Sequence, residues 1–183
     1  MDEFTPCVRE ALHGLNIKSL TLSSKEWGEL HAESLNQSLS SLKRLEILGI
    51  GVTEDSPGLW KALHGLNIKS LRLDGLKGEG LRINHLEPLS HSLSSLEQMK
   101  KLTIHVQKDS PWEAIYGLNI EYLNLRIYDN RGELHEESLS QSLSSLMRLQ
   151  KLEIHVDEDI TGYWDSFYGL NIKKLRVFCK CKV

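Results

Sequence analysis

The phrase GLNIKSL stands at 14–20 and again, unchanged, at 65–71; it returns as GLNIEYL at 117–123 and GLNIKKL at 169–175. Its glycines, Gly14, Gly65, Gly117 and Gly169, are separated by 51, 52 and 52 positions. A second phrase, SLSSL, falls between successive copies at 38–42, 92–96 and 142–146. Longer agreement joins GELHAESLNQSLSSL at 28–42 to GELHEESLSQSLSSL at 132–146, two periods apart. The unit is therefore double, with two flavours of about 26 residues in alternation. Self-similarity at a fixed period of this size marks stacked supersecondary units that bury their apolar faces on one another.

A shorter pattern recurs inside every flavour: an apolar residue, two free positions, then apolar, free, apolar. It reads IKSLTL from Ile17, LKRLEI from Leu42, IKSLRL from Ile68 and MKKLTI from Met99. It continues as IEYLNL from Ile120, LQKLEI from Leu149 and IKKLRV from Ile172. Alternation such as Leu152, Ile154, Val156 against Glu153, His155 predicts half-buried strands. Between strands the apolar spacing turns helical: Leu35, Leu39, Leu42, then Leu89, Leu93, Leu96 and Leu139, Leu143, Leu146 each form one stripe. The other flavour opens its helices with Thr5-Pro6, Ser56-Pro57 and Ser110-Pro111, a hydroxyl N-cap followed by proline at the first helical position. Its glycines end those helices, so GLN is a helix stop and IKSL begins the next strand. Trp60, Trp112 and Trp164, each five positions before a glycine, are expected to anchor packing between units. Small residues in SLSSL are expected to let helices approach closely.

The seven copies resemble the L-x-x-L-x-L signature of leucine-rich repeats, over nearly the whole chain. The resemblance implies an α/β solenoid in which residues 1–183 form a single array. It has a parallel sheet of about seven strands and helices on the convex side. One feature departs from that family. The position three after the last signature residue, where Asn or Cys is usual, holds Lys25, Ile50, Leu76, Gln107, Tyr128, Asp157 and Lys180. The alternating double unit is similar to the sensor arrays of animal NACHT-type innate immune receptors and to ribonuclease-inhibitor-like scaffolds. The first likeness implies a sensing or autoinhibitory role in an intracellular receptor, with nucleotide chemistry in a separate domain. A substrate-receptor subunit of a ubiquitin ligase and a stand-alone inhibitor-type scaffold are the alternatives. The chain starts within a helical segment and stops inside a strand, so it is expected to be part of a longer array. Its open C-terminal edge would be the route for self-association.

Charge and composition exclude several classes. A formal charge of −3 gives no bulk attraction to nucleic acid. No apolar run approaches the roughly 18 residues that a membrane span needs. The start MDEFTPCVRE is acidic and lacks the apolar stretch of a secretory signal. Three cysteines, Cys7, Cys179 and Cys181, make a poor disulfide framework; the last two alternate within LRVFCKCKV as buried apolar groups, and a cytoplasmic location is expected. HEESL at 135–139 lacks the second histidine of a zinc peptidase, and no phosphate-cradling glycine loop occurs. His105 and His155 occupy matching places in TIHV and EIHV and are expected to be exposed, about 10 Å apart, too far to share a metal. No enzymatic activity, cofactor or metal is expected.

What remains is a binding surface. The outward columns of the sheet are expected to read Ser19, Arg44, Ser70, Lys101, Tyr122, Lys151, Lys174, then Thr21, Glu46, Arg72, Thr103, Asn124, Glu153, Arg176. A third would read Ser23, Leu48, Asp74, His105, Arg126, His155, Phe178. Its N-terminal half should neutralise itself, with Glu46 beside Arg72. The C-terminal half carries Lys101, Tyr122, Arg126, Tyr128, Lys151, His155, Arg176 and Phe178. Aromatics and arginines of this kind are enriched at hot spots, and the expected partner is a protein with an acidic surface.

Overall fold

Six of the seven copies of the short apolar motif become strands in the frame the sequence gives them, the second enters its strand three residues later, and the strands lie side by side in chain order. The computed structural model describes residues 11–24, 32–128, 136–156 and 167–179. Its strands are β1 (Ser19–Ser24), β2 (Ile47–Val52), β3 (Ser70–Gly75), β4 (Lys101–Gln107), β5 (Tyr122–Tyr128), β6 (Lys151–Val156) and β7 (Lys174–Cys179). They form one open sheet in the order β1 to β7, and each neighbouring pair is parallel. Among the described residues the helices are α1 (Ala32–Ser41), α2 (Pro57–Leu63), α3 (Leu86–Ser94) and α4 (Glu136–Ser144). None is long and apolar enough to cross a membrane.

Each strand begins with the same hydrogen-bond arrangement. The Lys18 carbonyl accepts from the amides of Glu46 and Ile47, the Glu46 carbonyl from Lys69 and Ser70, and the Lys69 carbonyl from Lys100 and Lys101. The series continues through the carbonyls of Lys100, Glu121 and Gln150 to the amides of Lys173 and Lys174. Register is thereby set once per unit, at the point where the chain enters the sheet. Inward, Leu48, Leu71, Leu102, Leu123 and Leu152 form one column, each 0% exposed. Full burial of each contributes about 1.5–3 kcal/mol. The helix stripes of Leu35, Leu39, Leu89, Leu93, Leu139 and Leu143 complete the same core. At the last strand Leu175, next in the column, is 40% exposed.

The register corrects the sequence reading of β2. Leu48, not Leu45, pairs with Leu20 and Leu71, so the motif of that unit is LEILGI from Leu45 rather than LKRLEI from Leu42. The outward positions of β2 are therefore Ile47, Gly49 and Gly51, in place of Arg44, Glu46 and Leu48. Glu46 lies before the strand and pairs with Lys69 Nζ at 3.0 Å, not with Arg72. Leu45 is buried all the same, at 5% exposed.

Helix termini follow local chemistry. Ser56 Oγ accepts from the Leu59 amide at 3.2 Å, with Pro57 in the first turn of α2. The matching Ser110-Pro111 opens only a 3-10 turn over Trp112–Ile115, without a side-chain cap. Six residues separate Ser110 from Gly117, against eight between Ser56 and Gly65, so the shorter segment has no room for two turns. Gly14, Gly65, Gly117 and Gly169 all have φ between 68° and 78°, the left-handed region suited to a helix stop.

SLSSL does more than leave space. The hydroxyl of Ser95 donates to the Ser92 carbonyl at 2.6 Å and accepts from the Gly65 amide at 2.9 Å. Ser145 repeats the arrangement with Ser142 and Gly117, at 2.6 and 2.7 Å. The serine at the end of one helix thus satisfies an amide at the preceding unit's helix stop, stitching neighbours together. Ser92 Oγ adds a buried bond to the Trp60 carbonyl at 2.6 Å, and Asn36 Nδ2 donates to the carbonyls of Ala62 and His64.

Trp60 and Trp112 are both buried, as their expected packing role requires. Trp164, Cys7, Cys181 and the Thr5-Pro6 cap lie outside the described residues; Cys179 is half-buried. One segment departs from the repeat. The β3–β4 ladder runs from Ser70–Lys101 and ends at Leu73–Ile104, after which Leu81 bridges to Val106 and Arg82 to Glu54. Leu81, 0% exposed, fills the place that the β3 ladder vacates.

Candidate recognition face

Alternation along parallel strands in register turns single side chains into columns running across the sheet. Lys101, Tyr122, Lys151 and Lys174 are successive partners in one column. Thr103, Asn124, Glu153 and Arg176 follow in the next, then His105, Arg126, His155 and Phe178; Tyr128 stands beyond Arg126 on β5. All eight residues expected to form a binding patch therefore share the outward face of β4–β7. The structure also shows how they are engaged.

Glu153 is the hub, only 7% exposed. Tyr122 Oη donates to its Oε2 at 2.7 Å, and Asn124 Nδ2 donates to the same oxygen at 3.3 Å. Arg176 Nη1 and Lys151 Nζ lie 2.8 and 3.1 Å from Oε1. The Tyr122 ring is flanked by two ammonium groups, Lys101 at 4.7 Å and Lys151 at 4.6 Å from its centroid. The Tyr122 hydroxyl above all, with Lys151 and Arg176, holds the Glu153 carboxyl at a pKa of about 2 against the opposing effect of burial. Burial, and then the same carboxylate, raise the Tyr122 phenol above its usual value.

A pH dependence follows. Because the folded-state pKa of Glu153 is depressed, its network stabilises the fold fully above the unfolded carboxylate's pKa, about 4.5. That stabilisation is lost as pH falls through about 2. NMR titration of the Glu153 side-chain carboxyl should give a midpoint near 2, and Tyr122→Phe should move it up towards the ordinary value. An ordinary midpoint in the unsubstituted chain would contradict the network.

The third column corrects an expectation. His105 is not a plain exposed histidine: it is 8% exposed, with Nδ1 3.1 Å from Asp74 Oδ1. Its ring meets Tyr128 edge-on at 6.4 Å. Burial would raise the Asp74 pKa, but hydrogen bonds from His105 and Arg72 outweigh it and lower the net value. His155 is half-buried and stacks on Phe178, with centroids 4.3 Å apart. Between the two histidines stands Arg126, over the Tyr128 ring at 5.1 Å. Its Nε is buried without a hydrogen-bond partner, and no carboxylate pairs with the guanidinium among the described residues.

The N-terminal half differs from the expected columns because of the β2 register. Gly49 and Gly51 replace the side chains assigned there, and a depression of about 330 Å³ lies over them. Thr21, Ser23, Arg72, Asp74 and Leu76 border it. Sequence reasoning missed this feature, although counting six positions on from SLSSL, as in the other two copies, would have placed Leu48 inward and both glycines outward. Among the described residues no group of three or more His, Cys, Asp or Glu side chains is placed to hold a metal.

A scan of protein-family models, a search of curated proteins and a search of solved structures each found no match to this chain.

Proposed function

We propose that the chain is a recognition module of leucine-rich-repeat type, and that the outward face of β4–β7 binds an acidic protein surface. One observation carries this reading: the face holds five cationic side chains, Lys101, Arg126, Lys151, Lys174 and Arg176, against the single carboxylate of Glu153. Glu153 already engages Lys151 and Arg176, and among the described residues no carboxylate pairs with Arg126. A guanidinium laid over the Tyr128 ring is pre-organised for a carboxylate from outside, since its fork donates two parallel hydrogen bonds. Six strand spacings of about 4.8 Å make the sheet roughly 29 Å wide, enough for a protein-sized contact. The alternating double unit, similar to the sensor arrays of NACHT-type receptors, supports placing such a module as the sensing or autoinhibitory part of an intracellular innate immune receptor.

The test uses a poly-L-glutamate peptide titrated into the isotope-labelled chain. Amide shifts should cluster on Lys101, Arg126 and Lys151 and weaken with salt. Arg126→Ala, which breaks no ion pair among the described residues, should weaken the interaction about tenfold with an unchanged melting temperature. Shifts scattered over the whole surface, or equal affinity in the variant, would remove the proposal. Tyr122 is unsuited to this test because its replacement also releases Glu153.

A further inference from the structure

Gly49 and Gly51 occupy interior positions of a central strand, where β-branched and aromatic residues are favoured and glycine weakens the strand. Neither is among the glycines of positive φ. Neither lies against another backbone. A Cβ at Gly49 would meet Thr21 Oγ1 at 3.0 Å, and one at Gly51 would meet Ser23 Oγ at 2.9 Å and Leu76 Cδ2 at 3.2 Å. Ser23 Oγ and Leu76 Cδ2 are ends of side chains that can rotate aside, and Thr21, which also presents Cγ2 at 3.3 Å, need give only a few tenths of an ångström. Gly75 and Gly80 are different, since a Cβ on either would run into main-chain atoms at 2.2 and 2.8 Å. The fold therefore requires glycine at 75 and 80 but not at 49 and 51. What the latter pair creates is the depression in the outward face, and a glycine inside a strand commonly marks the close approach of a ligand or another chain.

We infer that this notch receives an aromatic side chain of the protein that docks on the face; the inference rests on reading the face as a recognition surface. Gly49 and Gly51 are two residues apart on the same side of β2, about 6.8 Å, a span that suits one flat ring laid along the strand. Ile47, 47% exposed, and Leu76 supply apolar contact near the notch. Arg72 is fixed by Asp74 Oδ2 at 2.8 Å while 56% of its side chain stays exposed, so its guanidinium is presented for stacking on a ring. Thr21 and Ser23 offer hydroxyls to a phenol. An acidic side chain fits poorly, because Asp74 borders the space; the notch thus complements the cationic half of the face rather than repeating it.

The experiment titrates N-acetyl-L-tyrosinamide, with N-acetyl-L-leucinamide as control, into the isotope-labelled full chain. Saturable amide shifts are expected at Thr21, Ser23, Gly49, Gly51 and Asp74, with a Kd on the order of 1 mM for so small a probe and at least tenfold weaker response to the leucine analogue. In Gly49→Ala/Gly51→Ala the binding should fall at least tenfold while the melting temperature stays level or rises; Gly49→Ala alone should show the same trend. No saturable shift in the unsubstituted chain, equal binding in the variants, or variants that melt lower or fail to fold would each overturn the inference. Poly-L-glutamate reads the Arg126 half separately. Tyrosinamide binding without glutamate binding would leave the notch standing and remove the acidic-partner proposal, and the reverse result would do the opposite.

Discussion

Asp55→Ala is expected to lower the stability of the chain by about 3 kcal/mol or more, the largest effect of any polar substitution described here. The side chain is 0% exposed, and three N–H donors and the His85 ring converge on it. Trp60 Nε1 donates to Oδ2 at 2.8 Å, the His85 amide to the same oxygen at 3.0 Å and the Asn84 amide to Oδ1 at 2.9 Å; His85 Nδ1 lies 3.2 Å from Oδ1. Alanine would leave a buried indole N–H and two backbone amides without acceptors. Asparagine would serve poorly as well, because one of its two terminal atoms is a donor and both carboxylate oxygens are in use. For a chain of this length the loss corresponds to a fall in melting temperature of roughly 6–12 °C. A thermal scan showing a fall of under about 3 °C would mean that the carboxylate is not the clamp its geometry describes.

Gly75→Ala should cost about as much, for a steric reason. A Cβ there would stand 2.2 Å from the Gly80 carbonyl carbon and oxygen and 2.7 Å from the Leu81 nitrogen. The segment cannot retreat without loss, since the Leu81 amide donates to the His105 carbonyl at 2.7 Å and the Leu81 side chain is wholly buried. Gly78→Ala is the control: its φ is +74° but a Cβ meets nothing within 4 Å, so only the left-handed penalty of about 1–2 kcal/mol applies. Equal melting temperatures for the two variants would exclude the collision. Asp55 and Gly75 both act on the segment leading to His85, so the double substitution should cost less than the two separate losses combined.

Much of the candidate face was legible before any coordinates. Strict alternation in KLTIHV, YLNLRIY and KLEIHV assigned Lys101, Tyr122, Arg126, Lys151 and His155 to one side, and the shared period put them in neighbouring columns. Their engagement was not legible. Glu153 looks like any outward carboxylate in KLEIHV, and its role as hub comes from Tyr122 and Arg176 on the flanking strands. His105 is buried through Asp74, 31 positions earlier, and no local pattern announces such a partner. The β2 register failed for a different reason. Leucines at 42, 45 and 48 let the same motif be read in two frames, LKRLEI and LEILGI. The pairing of Leu48 with both Leu20 and Leu71 decides between them, in the frame that the six-position spacing from SLSSL also favours.

The sequence by itself determined the parallel order of the strands, the inward leucine column outside β2 and the helix-stop glycines, because each is a local periodicity repeated often enough to leave one consistent arrangement. Tertiary structure alone decided three features: the serine stitches between units, the clamp on Asp55 and the notch over Gly49 and Gly51. Each depends on groups roughly one unit apart in the chain meeting across an interface, and the distance and direction of such a meeting are set by how neighbouring units stack, not by any spacing within one of them.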